Sequence, residues 1–364
     1  MLLSIISFFI VCVLYFYGFI LFYITYLAKK KREKEAFINN FFISLIFTIA
    51  LSINLIIIFL IFPTRDFIVF PFDVFMGLFL IFFIPFFIVL VKREQIKIKK
   101  GKRVIKSSTI DTKYELPLKY EIYRKLTHLV VLGIILFYFT LGFLVQNFFI
   151  YIFQFTPDFI SELFFTIYNT EDDKMMFTQY LVIFLVGISL IGMSTADFVR
   201  ILKPELYPLK PINRLLREKE RYHLRLGPQI SMSVGCFSII IIFGHFQPIG
   251  PLVICTTMTM AIFGDMASNL IGRSFGYKYK NIRDTKKTYI GLFSGIFVSF
   301  ISGIIVLVLL GRFYYVRFSR LILLPLIGSL IIGLIDYVDL EIDDNLSFNF
   351  VTTTILFFIL IFLI

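Results

Sequence analysis

The chain has 364 residues, of which 59% are hydrophobic and 16% are charged, and its formal net charge is +12. This excess of apolar residues excludes a soluble globular domain and is typical of a polytopic membrane protein. The positive charge does not indicate a nucleic-acid partner, because the basic residues flank apolar segments, where membrane orientation and anionic headgroups account for them.

Apolar segments of about 20 residues, the length that crosses a bilayer as a helix, recur along the whole chain. We therefore predict an all-α transmembrane bundle of about ten spans. The predicted spans lie near 2–27, 37–62, 71–91, 128–153, 178–196, 229–246, 249–264, 289–310, 321–335 and 350–364. The first three have little polar content beyond Asn54, so we separate residues 1–100, as N-terminal transmembrane helices, from residues 101–364.

The charges of the loops predict an orientation. Basic loops occur at 29–35, 92–125, 197–227 and 265–288. Alternating spans place all four on one side, which the positive-inside rule makes cytoplasmic, with the N-terminus outside. One loop on the opposite side disagrees, since it contains Arg312, Arg317 and Arg320.

Several common sites have no counterpart in the sequence. The three cysteines lie inside apolar runs, as small buried hydrophobic residues do, and form no metal-binding spacing. There is no phosphate-binding loop of the G-x-x-x-x-G-K-[ST] type and no H-E-x-x-H zinc motif. The three histidines are scattered, at His128, His223 and His245.

The first candidate constellation is EIYRKLTHLVV, which begins at Glu121. Arg124 and His128 are four residues apart and would share a helix face, with Lys125 beside them. The spacing fits a cationic membrane anchor with an interfacial histidine. It fits equally an anion site with a titratable neighbour.

The second constellation begins at Asp197, which ends a predicted span, where an ionisable residue is a functional candidate. Further on, Arg214, Arg217 and Arg221 follow the i, i+3, i+7 spacing of one helix face. A basic amphipathic helix resting on lipid headgroups is the alternative interpretation.

The third constellation is FGDMASNLIGRSFGYKYK, residues 263–280, continued by IRDTKKT. Backbone amides at Gly272 and Gly276 could approach a phosphate closely. Cations would come from Arg273, Lys278, Lys286 and Lys287. Asp265 could hold a divalent metal, so the set suits a nucleoside triphosphate with Mg²⁺. A G-x-x-x-G helix-packing face would explain the glycines alone.

The fourth constellation is an acidic cluster near the C-terminus. It comprises Asp336, Asp339, Glu341, Asp343 and Asp344. Neighbouring carboxylates repel one another unless a cation or a substrate hydroxyl lies among them. A solvated acidic turn is the alternative.

Taken in order, these motifs resemble those of the CTP-dependent lipid kinases, the family of dolichol kinase, phytol kinase and fungal diacylglycerol kinase. The resemblance covers about 120–350. The matching residues are Arg124, Lys125, His128, Asp197, Arg200, Arg217, Lys219, Glu220, Asp265, Gly272, Gly276, Lys286, Lys287, Thr288, Gly291, Asp343, Asp344 and Asn345. The chain departs from the family pattern at Ser268, Ile290, Asp336 and Asn349.

The resemblance implies that residues 101–364 form a catalytic transmembrane domain. It would phosphorylate the hydroxyl of a membrane lipid alcohol, dolichol or another polyprenol, at the cytoplasmic leaflet, with CTP as donor. Mg²⁺ would be held by Asp265, Asp343 and Asp344. CTP would be bound by Gly272, Arg273, Gly276, Lys286, Lys287, Arg124, Lys125, Arg200, Arg217, Lys219 and Glu220.

The proton of the lipid hydroxyl could pass to His128, Asp197 or Asp336, and the sequence does not choose among them. A phosphatidate or archaeal-lipid cytidylyltransferase, which makes a CDP-lipid, is the nearest alternative. A non-enzymatic lipid transporter or scaffold is an alternative of another class. Transporters place charged groups near the bilayer midplane, whereas here the span centres are apolar, which favours an enzyme.

Overall fold

The computed structural model describes residues 4–63, 65–100, 118–168, 174–210, 216–217, 220, 223–275, 281–282, 287–313 and 316–362. Within these ranges the regular structure is helical, apart from an isolated antiparallel bridge between Asn281 and Thr288. The prediction of an all-α bundle is confirmed.

Thirteen α-helices are assigned within the described ranges, together with two short 3₁₀ turns at Leu129–Leu132 and Pro204–Leu206. The helices are α1 (Ile5–Lys30), α2 (Lys34–Leu60), α3 (Phe72–Lys99), α4 (Leu118–His128), α5 (Gly133–Phe139), α6 (Leu141–Phe153), α7 (Asp158–Ile167), α8 (Lys174–Leu202), α9 (Pro228–Phe243), α10 (Ile249–Phe275), α11 (Tyr289–Leu310), α12 (Phe318–Val338) and α13 (Asp344–Phe362).

In the described part of the chain, nine helical segments are long and apolar enough to cross a bilayer, and α6 and α9 are shorter apolar helices. The protein is therefore an integral, multi-pass membrane protein. The backbone groups of each apolar segment form their hydrogen bonds within the helix, as a bilayer requires.

The predicted span 128–153 is wrong as a single helix. The candidate span there runs over Tyr120–Phe139, and a separate helix begins at Leu141. The break is tight, because a Cβ atom on Gly142 would lie 1.9 Å from the carbonyl oxygen of Phe137. Because the candidate span begins at Tyr120, His128 lies inside it instead of at its start.

Small residues let α10 and α11 approach very closely. A Cβ atom on Gly264 would lie 2.0 Å from Oγ of Ser299, and one on Gly295 would lie 2.9 Å from Cβ of Ser268. Close backbone approach of this kind is the usual basis of helix association in membranes. It holds the last turns of α10 beside the start of α11.

The N-terminal helices are part of the same core as the rest of the chain. One cluster of buried apolar side chains extends from Ile10 to Leu360, so the predicted division at residue 100 falls within a continuous core. Two polar residues of α2 that the sequence analysis passed over, Asn39 and Asn40, are both fully buried.

Candidate functional site

Helix ends bring many of the ionisable side chains to one end of the bundle, which we call the polar end. The turn between α1 and α2 lies there, because Oε2 of Glu33 accepts a hydrogen bond from the Leu224 amide at 2.8 Å. The buried polar side chains of this end are Asn39, Glu121, Arg124, Lys125, His128, Asp197, Arg200, Glu220, Arg225, Asp265 and Asp336. Buried charges in a membrane bundle are costly unless they are paired, and they are functional candidates.

The α4 and α10 helices are joined by an ion pair. Nζ of Lys125 contacts Oδ2 of Asp265, and both side chains are buried. The other carboxylate oxygen of Asp265 accepts a hydrogen bond from Nδ2 of Asn269 at 2.6 Å. The sequence predicted Lys125 as a nucleotide-binding residue and Asp265 as a metal ligand, and the structure places the two in direct contact.

Glu121 is the centre of an arginine cluster. Its carboxylate is completely buried. Arg124 donates to Oε1, Arg217 donates to Oε1 at 3.0 Å, and a guanidinium nitrogen of Arg273 lies 3.9 Å from Oε2. Three guanidinium groups thus surround one carboxylate, which leaves an excess of positive charge suited to an anion.

Glu121 is the functional candidate that the sequence analysis missed. A signal was present, because Glu121 and Arg124 have the i, i+3 spacing of a helical ion pair. The predicted span began too late, at residue 128, so Glu121 was treated only as a helix start. The structure starts α4 at Leu118 and buries Glu121.

Glu220 is held beside the arginine cluster. Its Oε2 accepts a hydrogen bond from the Arg217 amide at 2.9 Å. Burial raises the pKa of Glu220, and the charge of Asp343 adds to this rise, while Arg124 and Arg217 oppose it. Glu220 therefore fixes the backbone that presents Arg217, and its predicted role at a nucleotide site stays a prediction.

Asp197 and Arg200 form a structural ion pair. The carboxylate receives two hydrogen bonds from the Arg200 guanidinium, at 2.5 and 2.9 Å. It also accepts from the Gly227 amide at 3.0 Å and from Nε2 of Gln229 at 3.3 Å. Asp197 is only 1% exposed and these hydrogen bonds use its lone pairs, so it anchors the surrounding chain, and its role as a proton acceptor stays a prediction.

Arg200 connects this anchor to the arginine cluster. Its guanidinium also donates to the backbone carbonyls of Glu220 and, at 2.9 Å, of Arg225. All these bonds are internal to the protein, so Arg200 positions the chain around residue 220 and is not itself presented to a nucleotide. The predicted nucleotide-binding role of Arg200 stays a prediction.

Lys287 is surrounded by carboxylates. Its Nζ lies 2.8 Å from Oδ1 of Asp336, 2.9 Å from Oδ1 of Asp339 and 3.8 Å from Oδ2 of Asp344. Burial alone would lower the pKa of Lys287, but Asp344 and Asp336 outweigh it and raise the pKa. The structure therefore places Lys287 among these carboxylates, and its predicted contact with phosphate stays a prediction.

Helix α10 links this carboxylate cluster to the arginine cluster. Oγ of Ser268 donates to Oδ2 of Asp336 at 2.9 Å, and Arg273 approaches Glu121. Ser268 and Arg273 are separated by five residues, about 7.5 Å along the helix. The two clusters are therefore neighbours.

The predicted metal set is not assembled. Asp265 pairs with Lys125, and Oδ1 of Asp343 accepts hydrogen bonds from the amide and from Nδ2 of Asn345, at 3.0 and 2.7 Å. Within the described residues no group of three or more His, Cys, Asp or Glu side chains is placed to hold a metal ion. Mg²⁺ often takes one or two carboxylates together with substrate phosphates, so its binding here stays a prediction.

Of the two glycines predicted to bind phosphate, Gly272 lies among the described residues. Gly272 lies inside α10, and a Cβ atom on it would be 3.5 Å from Cα of Gly291. Gly272 therefore contributes to the packing of α10 against α11, and its predicted contact with phosphate stays a prediction. Three predicted residues, Gly276, Lys286 and Lys219, lie outside the described residues.

Asp336 and His128 are the other two predicted proton acceptors. Asp336 is 8% exposed and lies in the carboxylate cluster, and His128 is buried one turn beyond Arg124 on α4. The Asp336 carboxylate keeps lone pairs beyond its bonds to Ser268 and Lys287.

Comparison of this chain with protein-family models, curated proteins and solved structures found no match.

Proposed function

We propose that the protein is a CTP-dependent kinase that phosphorylates the hydroxyl of a membrane lipid alcohol. The observation that carries the proposal is the arginine cluster around Glu121 next to the carboxylate cluster around Lys287, at one end of an apolar helical bundle. The order of motifs, which resembles that of the CTP-dependent lipid kinases, supports the choice of nucleotide.

The arginine cluster suits the phosphates. Arg217 and Arg273 each keep about a third of the side chain exposed, at 32%, so both can reach a ligand without leaving Glu121. Guanidinium groups bind phosphate oxygens in a bidentate manner and stay charged at any physiological pH. Their charge would stabilise the negative charge that spreads over the transferred phosphoryl group.

The carboxylate cluster suits the acceptor. The lipid oxygen would form a bond to the terminal phosphorus while the bond to the bridging oxygen breaks and CDP leaves. The hydroxyl proton would pass to the Asp336 carboxylate, which Lys287 and Ser268 hold in place. His128 is the second candidate for this proton. No step is assigned to Mg²⁺.

The acceptor would be a lipid because the bundle is embedded in a bilayer. The loop charges favour a cytoplasmic position of the polar end, where CTP is available. A polyprenol or dolichol is the proposed alcohol. A site that recognises one hydroxyl would discriminate among tails through apolar contacts, each methylene contributing about 0.8 kcal/mol.

The test uses purified protein in mixed micelles with CTP labelled at either the α- or the γ-phosphorus. The lipid panel contains prenols of several lengths, diacylglycerol and phosphatidic acid. Transfer of the γ label to an alcohol is expected. Transfer of the α label to phosphatidic acid would instead identify a cytidylyltransferase, and transfer of neither label would contradict both enzymatic proposals.

The variant Arg273→Gln tests whether the arginine cluster binds CTP. It removes one guanidinium from the arginine cluster and should raise the KM for CTP about tenfold. Arg93→Gln, an exposed arginine on α3, is the matched control and should leave the KM unchanged. Equal KM values in both variants would contradict the placement of the phosphates.

A further inference from the structure

At the end of the bundle opposite the polar end lies an apolar cavity of about 300 Å³. It is enclosed by the first turns of α10 and α12 and the last turns of α11 and α13. Its lining includes Leu252, Thr256, Leu307, Arg320, Leu324 and Leu356. Ile249, where the lining begins on α10, is sixteen residues from Asp265, about 24 Å along the helix, so this cavity is distinct from the candidate site.

The cavity is large enough for part of a ligand. A volume of about 300 Å³ is at the lower end of the range for small-molecule sites. An apolar cavity of about half that volume already binds benzene in other proteins. Since hydroxyl and guanidinium groups come only from Thr256 and Arg320 among the lining residues, the enclosed part of a ligand must be a hydrocarbon.

Arg320, the one charged residue among the described residues that line the cavity, is half-buried near the start of α12. Arg312 and Arg317 are exposed in the loop that precedes α12. These arginines contradict the positive-inside pattern of the other loops, so membrane orientation does not explain them.

We propose that this cavity binds one chain of an anionic membrane lipid, whose headgroup phosphate is held by Arg320 with Arg317 and Arg312. Charge complementarity selects the occupant, because a guanidinium pairs with a phosphate ester through two hydrogen bonds. A hydrocarbon chain below a phosphate fits an apolar cavity with arginine at its edge. The site is independent of the proposed kinase activity, and so is its test.

The test exploits the absence of tryptophan from the chain. Leu324→Trp places a single fluorophore in the cavity, and Phe358→Trp places one on the outer face of α13, where Phe358 is half exposed. Each protein is reconstituted in zwitterionic vesicles containing a few mole per cent of either brominated phosphatidylglycerol or brominated phosphatidylcholine. Bromine quenches tryptophan on contact.

The cavity tryptophan should be quenched more strongly by the anionic lipid, with about tenfold less lipid needed for half-quenching. The added change Arg320→Gln should abolish this preference, whereas Arg93→Gln should not. The outer tryptophan should respond equally to both lipids. Equal quenching of the cavity tryptophan by the two lipids, or a preference that survives Arg320→Gln, would overturn the proposal.

A tryptophan inside the cavity could itself block the chain or prevent folding. Val316→Trp, on the half-buried edge of the cavity, is therefore a second reporter. It leaves the enclosed volume free and should show the same anionic preference. Loss of preference in this folded variant would likewise count against the site.

Discussion

Oδ1 of Asn39 accepts a hydrogen bond from the backbone amide of Asp343 at 2.9 Å, across 304 residues of sequence. The same oxygen accepts from the guanidinium of Arg225 at 3.2 Å. A buried amide on the second helix therefore fixes both the acidic turn before α13 and the segment that follows the arginine cluster. The N-terminal helices thus support the candidate site directly.

Asn39→Leu should lower the free energy of unfolding by about 2–3 kcal/mol, because it leaves the Asp343 amide and the buried Arg225 without this acceptor. It should also raise the KM for CTP, since the acidic turn is no longer fixed. Thermal unfolding in detergent and steady-state kinetics measure the two effects.

Asn54→Leu is the matched control for this variant. Asn54 is equally buried on the same helix, about 22 Å away, and donates to the Ile241 carbonyl at 2.6 Å. It should lose stability with an unchanged KM. If both variants changed the KM alike, Asn39 would have no specific connection to the site.

The Lys125–Asp265 pair should be strongly coupled. Lys125→Met alone leaves a buried carboxylate unpaired and should destabilise the protein by about 3–5 kcal/mol. The double variant Lys125→Met with Asp265→Leu should recover most of that stability while kcat/KM stays at least about 100-fold below the original.

An exposed ion pair gives the reference for this cycle. Lys34 and Glu341 are 3.6 Å apart, with side chains 79% and 40% exposed, so Lys34→Met should change stability by less than about 1 kcal/mol. If the double variant at Lys125 and Asp265 recovered both stability and activity, the pair would have a structural role only.

Substitutions of Asp197 and Asp336 should distinguish a structural role from a catalytic one. Asp197→Asn removes one side of the ion pair with Arg200 and should lower stability, with kcat per folded molecule reduced less than about tenfold. Asp336→Asn should lower kcat by about 100-fold or more, because the proton acceptor is lost. Folded protein is counted by size-exclusion chromatography. The reverse order of kcat losses would restore Asp197 as the acceptor.

Helix packing beside the site should be intolerant of a single methyl group. Gly264→Ala places a Cβ atom 2.0 Å from Oγ of Ser299 and should cost about 1–3 kcal/mol. Removing that oxygen with Ser299→Ala should recover part of the loss. Gly133→Ala meets nothing within 4 Å and should be neutral or slightly stabilising. Equal melting temperatures of the Gly264 and Gly133 variants would contradict the close contact.

Lys287 gives a pH dependence whose sign is fixed. Its pKa is raised above the ordinary value of 10.5, so its contribution to stability is complete below about pH 10.5 and is lost as the pH rises through the folded value. Lys287→Met should therefore destabilise the protein at neutral pH and flatten the decline in stability above about pH 10.5. An unchanged decline in the variant would assign it to another group.

The sequence alone predicted the class of structure and the places where polar residues would gather. Runs of about 20 apolar residues can only be helices in a bilayer, because each backbone group must find its partner within the segment. The same runs placed Arg124, Asp197, Asp265 and Asp344 at or near the ends of predicted spans. Helix periodicity and apolar length are local properties, so one chain suffices to read them.

Only the tertiary structure decided which of those residues pair. Asp197 and Asp265 have the same appearance in the sequence, an acid in or at the end of an apolar helix, yet one is saturated by Arg200, Gly227 and Gln229 and the other contacts Lys125. Glu121 was overlooked because the predicted span began too late, and Asn39 because its partners, Asp343 and Arg225, are far away in the chain. Burial and ion pairing depend on how helices pack, and no local pattern contains that information.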